Sequence, residues 1–267
     1  MKAGLEAALA AALFELAAGC APDSTGRNAP DRDPLAEGIA HFKEGSIPQA
    51  IALLSRAMER SDCEAEARRY RGRAHLARGD IAQALADWTV LARLAPQDTE
   101  VHYDLALAYS RQGDSERAVA SFTRAIEGNP DHVKALINRS AELHKRGRIA
   151  EALADVERAI QLDPYNAAFL VNRGIYLSQL GRRGPAVTSW NAAIRLDPQF
   201  PGGYFSRGID HAEHGEHEDA LRDLTKALEL RPDHTPARAA RARVLRALGR
   251  EEEAAADERR IQGRPGN

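Results

Sequence analysis

"RGIYLSQLGRRGPAVTSWNAAIRLDP", residues 173–198, decides the fold. A helical stretch runs up to Gly181, and a second runs from there to Pro198. Gly181 supplies the left-handed residue that ends a helix, where a Cβ would cost about 1 kcal/mol or more. Pro198 stops the second helix, because proline cannot continue one. The stretch therefore reads as helix, glycine turn, helix, proline stop.

Moving in steps of 34 residues shows that this pattern is one of seven copies. Gly45, Gly79, Gly113, Gly147, Gly181, Gly215 and Gly249 fall in one column, and Asp62, Pro96, Pro130, Pro164, Pro198, Pro232 and Gly266 in another. Two further columns hold only small residues. One is Gly38, Gly72, Ala106, Ser140, Gly174, Gly208 and Ala242; the other is Ala50, Ala84, Ala118, Ala152, Ala186, Ala220 and Ala254. Small residues at these places are expected where two helix backbones approach closely, since overpacking there costs about 1–3 kcal/mol. A large column, Leu54, Trp88, Phe122, Val156, Trp190 and Leu224, is expected to fill the space between neighbouring hairpins. The repeats are 31–64, 65–98, 99–132, 133–166, 167–200, 201–234 and 235–267, with residues 1–20 and a 21–30 linker ahead of them. In the last repeat Glu258 takes the large position, within the polar run "EEEAAADERR", as expected for a solenoid cap.

With this period and its small, aromatic, alanine and proline columns, the chain resembles the tetratricopeptide repeat (TPR) family over about nine-tenths of its length. The resemblance implies an all-α solenoid, a right-handed superhelix of helical hairpins whose first helices line a concave groove. His41, His75 and His211 depart from it where the family prefers Tyr, and Asp62 replaces a proline.

Composition narrows the function. A net charge of -2, from 37 basic and 39 acidic residues, creates no global field for nucleic acid. The basic helix "ARAARARVLRALGR" lacks aromatics and runs into Glu251, Glu252 and Glu253, so no nucleic-acid partner is expected. Only five of the basic residues are Lys, a bias that with the heavy Ala usage fits GC-rich bacterial coding. No phosphate loop, HExxH or nucleophile motif stands outside the repeat columns, and residues 1–30 are too few for a catalytic domain. A non-catalytic chain without cofactor is expected. "HAEHGEH" places His211, His214 and His217 astride the Gly215 turn, so no metal site is expected there. Cys20 and Cys63 are too few and too ill-spaced for a disulfide framework or a zinc site, and Cys63 reads as an incidental loop thiol.

The residue before the small column is Arg in five repeats. Four of these have Asp sixteen positions later, and the two repeats without Arg lack it. Arg71 is therefore expected to pair with Asp87, Arg139 with Asp155, Arg207 with Asp223 and Arg241 with Asp257, across the helices of one hairpin.

By the same resemblance, groove-facing positions include Arg69, Arg73, Tyr103, Arg111, Ile175, Phe205, Ile209, Arg243 and Arg246. The middle is apolar with aromatic anchors and the flanks carry Arg. That suits a protein or extended peptide partner with hydrophobic contacts in its centre and carboxylates toward its ends. Asn138 and Asn172 share one column, and an amide there can both donate to and accept from a peptide backbone. A scaffold that binds a partner is the leading expectation; self-association of the solenoid as an assembly or spacer protein is the alternative.

The N-terminus leaves two readings open. A Lys near the start, the apolar run "AALAAALF" and "LAAGC" resemble a lipoprotein signal with Cys20 as the lipidated residue. That would anchor the protein to a membrane facing the periplasm or cell exterior. Glu6 and Glu15 interrupt the run, while Leu5, Leu9, Leu13 and Leu16 share one helical face. The second reading is thus an amphipathic helix docked on the first hairpin of a cytoplasmic protein.

Overall fold

The computed structural model describes residues 33–60 and 63–263. The residues 1–20, the 21–30 linker, Cys20 and Asp62 lie outside them. Among the described residues all regular structure is α-helical, in fourteen helices that pair as hairpins. The chain divides after Pro130 into two compact halves. The N-terminal half holds α1 (Pro34–Lys43) with α2 (Ile47–Ala57), α3 (Glu64–Arg78) with α4 (Ile81–Leu94), and α5 (Thr99–Gln112) with α6 (Ser115–Gly128). The C-terminal half holds α7 (Val133–Lys145) with α8 (Ile149–Leu162), α9 (Ala167–Gln179) with α10 (Arg183–Leu196), α11 (Pro201–Glu213) with α12 (His217–Leu230), and α13 (Thr235–Ala247) with α14 (Glu251–Gln262). No described helix is long and apolar enough to cross a membrane.

Local chemistry sets these boundaries. Asp98 and Asn166 cap α5 and α9 by accepting backbone N–H bonds, and Pro34 and Pro201 open α1 and α11 where no N–H is needed. At the same column His132 and His234 cap α7 and α13 through Nδ1, which accepts from Ala135 N at 3.4 Å and Ala237 N at 3.0 Å. Each hairpin turns at a glycine of the Gly45 column, and all seven have φ between 72° and 93°. Side chains rarely adopt that conformation, which is why the column admits nothing else.

The expected backbone approach is seen at Gly38, where an added Cβ would lie 3.2 Å from Leu54 N; at the two tryptophan repeats the obstacle is a ring. A Cβ added at Gly72 would lie 2.5 Å from the Trp88 indole, and one at Gly174 would lie 2.3 Å from Trp190 Nε1. The glycines make room for a ring from the second helix of the same hairpin. In the other repeats Ala106 stands in register with Phe122 and Ser140 with Val156, while Gly38 and Gly208 face Leu54 and Leu224. Both indoles are buried and donate to a first-helix carbonyl at 3.3 Å, Trp88 to Arg69 O and Trp190 to Val171 O. Trp88 also packs with Leu76, Val101 and Leu105, so the large column closes the core within and between hairpins.

Cys63 is no incidental loop thiol. It stands at the N-cap of α3, is 1% exposed and is disulfide-bonded.

Candidate peptide-binding groove

Within each half, first helices touch one another: α1 with α3, α3 with α5, α9 with α11, and α11 with α13. The side chains between them form the candidate binding face.

In the N-terminal half this face is closed by charge pairs. Arg69 binds Asp98, and Arg73 Nε donates to Asp104 Oδ2 at 2.8 Å while its Nη2 lies 3.5 Å from Glu100. Arg73 also sits over the Tyr70 ring at 5.8 Å. Burial raises the Asp104 carboxyl to about 6, against the pull of Arg73. Arg111 donates to Leu76 O at 2.7 Å. The expectation that Arg69 and Arg73 offer free cations to a ligand is therefore corrected: acidic residues of the next hairpin already neutralise them. Tyr103 is half-buried with its ring 5.9 Å from Phe122.

In the C-terminal half the face is less occupied. Asn138, Asn172, Ile175, Phe205 and Ile209 are all half-buried. The Asn172 amide makes no hydrogen bond among the described residues, and Phe205 packs 4.7 Å from the His234 ring that caps α13. Arg246 pairs with Glu258 at 2.8 Å. Arg243 is exposed and has no ion-pair partner among the described residues.

The structure brings together the four sixteen-residue pairs away from this face, each as a bidentate fork. Arg71 Nε and Nη2 reach Asp87 at 2.9 and 2.6 Å, and Arg139 reaches Asp155 at 2.8 and 2.6 Å. Arg207 reaches Asp223 at 2.7 and 2.7 Å, and Arg241 reaches Asp257 at 2.7 and 2.7 Å. The four Asp side chains are 4–7% exposed. They are structural ties.

One column escaped the sequence reading. Arg71 also donates to Ser55 at 3.1 Å, Arg207 to Asn191 and Arg241 to Thr225 at 3.3 Å, each sixteen residues earlier in the preceding hairpin. Arg173, whose later partner is Ser189 at 3.2 Å, takes Glu157 at 3.2 Å in that earlier place. The signal was present as an all-polar column, Ser55, Thr89, Thr123, Glu157, Asn191 and Thr225.

The three histidines of "HAEHGEH" turn to separate partners. His211 Nδ1 meets Glu216, His214 Nδ1 meets Asp210 O at 2.7 Å, and His217 Nδ1 is buried without a hydrogen bond. Arg183 from α10 reaches both Asp210 at 2.8 Å and Glu216 at 2.5 Å, and with His211 it holds the Glu216 carboxyl down to about 2.

A sequence profile described as Tetratricopeptide repeat matches residues 35–99, 103–167 and 205–267. The chain belongs to the tetratricopeptide repeat family. A TPR protein from Parabacteroides merdae has a similar structure, with a TM-score of 0.74 and 17% identity over 88% of this chain and 93% of that one. YrrB, a TPR protein described as having an unusual peptide-binding site, is similar at TM-score 0.59 and 21% identity, covering 69% of this chain and 95% of its own. PilF of Pseudomonas aeruginosa gives 0.62 and 18%, over 75% and 93%. These likenesses concern the TPR fold. Among curated proteins, none matches the sequence.

Proposed function

We propose that this TPR chain is a non-catalytic adaptor that binds a partner protein or an extended peptide along the first-helix face of its C-terminal half. The observation that carries this reading is the contrast between the halves. Arg69 and Arg73 are spent on Asp98 and Asp104, whereas Asn172 keeps an unused amide on the same face as half-buried Ile175, Phe205 and Ile209. An amide that donates and accepts, beside aliphatic and aromatic side chains, suits an extended backbone with apolar side chains.

A photocrosslinker at Asn172 in the native host, read by mass spectrometry, identifies the partner. Affinity capture of the identified partner by the parent chain is expected to fail in the variant Asn172→Ala with Phe205→Ala, while the variant's helical content and elution volume match those of the parent. Unchanged capture would overturn the reading. Concentration-dependent self-assembly indifferent to that variant would instead favour an assembly role.

A further inference from the structure

The geometry points to a side-chain pocket in the C-terminal half that selects a charge-ordered peptide, an inference that rests on the groove-binding reading above. In the N-terminal half, Arg73 of α3 and Asp104 of α5 bridge adjacent first helices at 2.8 Å. Four repeats later the same two register positions are Ile209 of α11 and Ala240 of α13. No ion pair can form there; Ala240 and Val244 are buried in the core of this half, and an open cleft lies over them. The cleft measures about 200 Å³, with Ile209, Ala212, Ala240 and Val244 at its floor and His217 at its side. An open cleft with an aliphatic floor and this volume accepts a single apolar side chain.

The charges beside the cleft define what flanks that side chain. Glu213 and Arg243 also line it; both are exposed, and neither has an ion-pair partner among the described residues. Arg246, one turn on from Arg243, is neutralised by Glu258. Water solvates both charges as they stand, and an occupant carrying complementary charges on the two sides would exchange that solvation for two charge pairs. The occupant is an extended peptide segment with one apolar residue, an acidic residue on the Arg243 side and a basic residue on the Glu213 side.

Random twelve-residue peptides displayed on phage and selected on the full chain, then remeasured as synthetic peptides by fluorescence anisotropy, test this. The selected peptides are expected to carry an apolar residue between acidic and basic ones. Ala247→Trp, at an exposed position lining the cleft, is expected to weaken them at least tenfold without loss of helical signal. Exchanging the charges, Glu213→Arg with Arg243→Glu, is expected to reverse the preference between a peptide and its charge-swapped version. Peptides that bind Ala247→Trp as well as the parent, but lose Asn172→Ala with Phe205→Ala, overturn the pocket and leave the groove reading intact. Failure to select any peptide, or indifference to both variants, overturns both.

Discussion

Trp88 occupies the space that a side chain on residue 72 would need: a Cβ there would stand 2.5 Å from its indole. Trp88 is fully buried, so the ring cannot swing clear. Gly72→Ala is expected to destabilise the protein by about 1–3 kcal/mol, the range for overpacked cores. The register of Ala106 with Phe122 supplies the compensation. Adding Trp88→Phe to Gly72→Ala should return part of that loss, giving a favourable coupling in a double-mutant cycle followed by urea unfolding. Strictly additive effects would show that the two residues do not share the space.

Removing Asp155 leaves the Arg139 guanidinium without its fork at a site where the carboxylate is 7% and the arginine 19% exposed. Breaking such a pair costs about 3–5 kcal/mol when it is fully buried, and the partial exposure of Arg139 places Asp155→Ala near the lower end. Asp155→Asn should lose almost as much, because an amide cannot receive both donors of the fork. A melting temperature unchanged in both variants would mean that the pair is merely a solvated contact.

Asp104 gives a pH signature of defined sign. Its folded pKa of about 6 lies above the ordinary 3.8, so between those values the folded state holds a proton that the unfolded chain has released. Its contribution to stability therefore falls as pH rises from about 4 to about 6 and is level above that. Asp104→Asn removes this slope. The stability of the variant relative to the parent should rise across the window by on the order of 2–3 kcal/mol. Urea midpoints from pH 4 to 7.5 measure it, and parallel curves would refute it.

Cys63 is expected to resist alkylation in denaturant until a reductant is added, because its sulfur is bonded. The only other cysteine in the sequence is Cys20, which lies outside the described residues. A lipid thioether would occupy the Cys20 sulfur and leave it unable to form any disulfide. If Cys63 alkylates without reductant, and palmitate label disappears in Cys20→Ser, the lipid-anchored reading of the N-terminus is the one to keep.

The helices were legible because periodic glycines and prolines act locally, each through its own φ or its missing N–H. The Arg and Asp columns were legible for a related reason: a fixed separation repeated with the period survives any uncertainty in helix boundaries. The small column was seen but the indoles behind Gly72 and Gly174 were not, since sequence spacing does not distinguish a neighbouring backbone from a neighbouring ring. Arg69 and Arg73 show the limit most clearly. Their position on the first-helix face follows from register, but their neutralisation depends on Asp98 and Asp104, whose directions are set only when two hairpins pack. The cleft over Ala240 is of the same kind, formed by residues on different helices.

The third bond of the paired arginines Arg71, Arg207 and Arg241 bears on the number of repeats. Arg207 reaches back to Asn191 and Arg241 reaches back to Thr225 over the same sixteen-residue interval. Excising residues 201–234 would deliver Arg241 to Asn191, another acceptor, while its own fork to Asp257 travels with it. A cut that is not a whole number of repeats would strand a guanidinium against a mismatched neighbour. Copy number can thus drift by whole repeats while the joints reseal, and the length of the protein is quantised in steps of one hairpin.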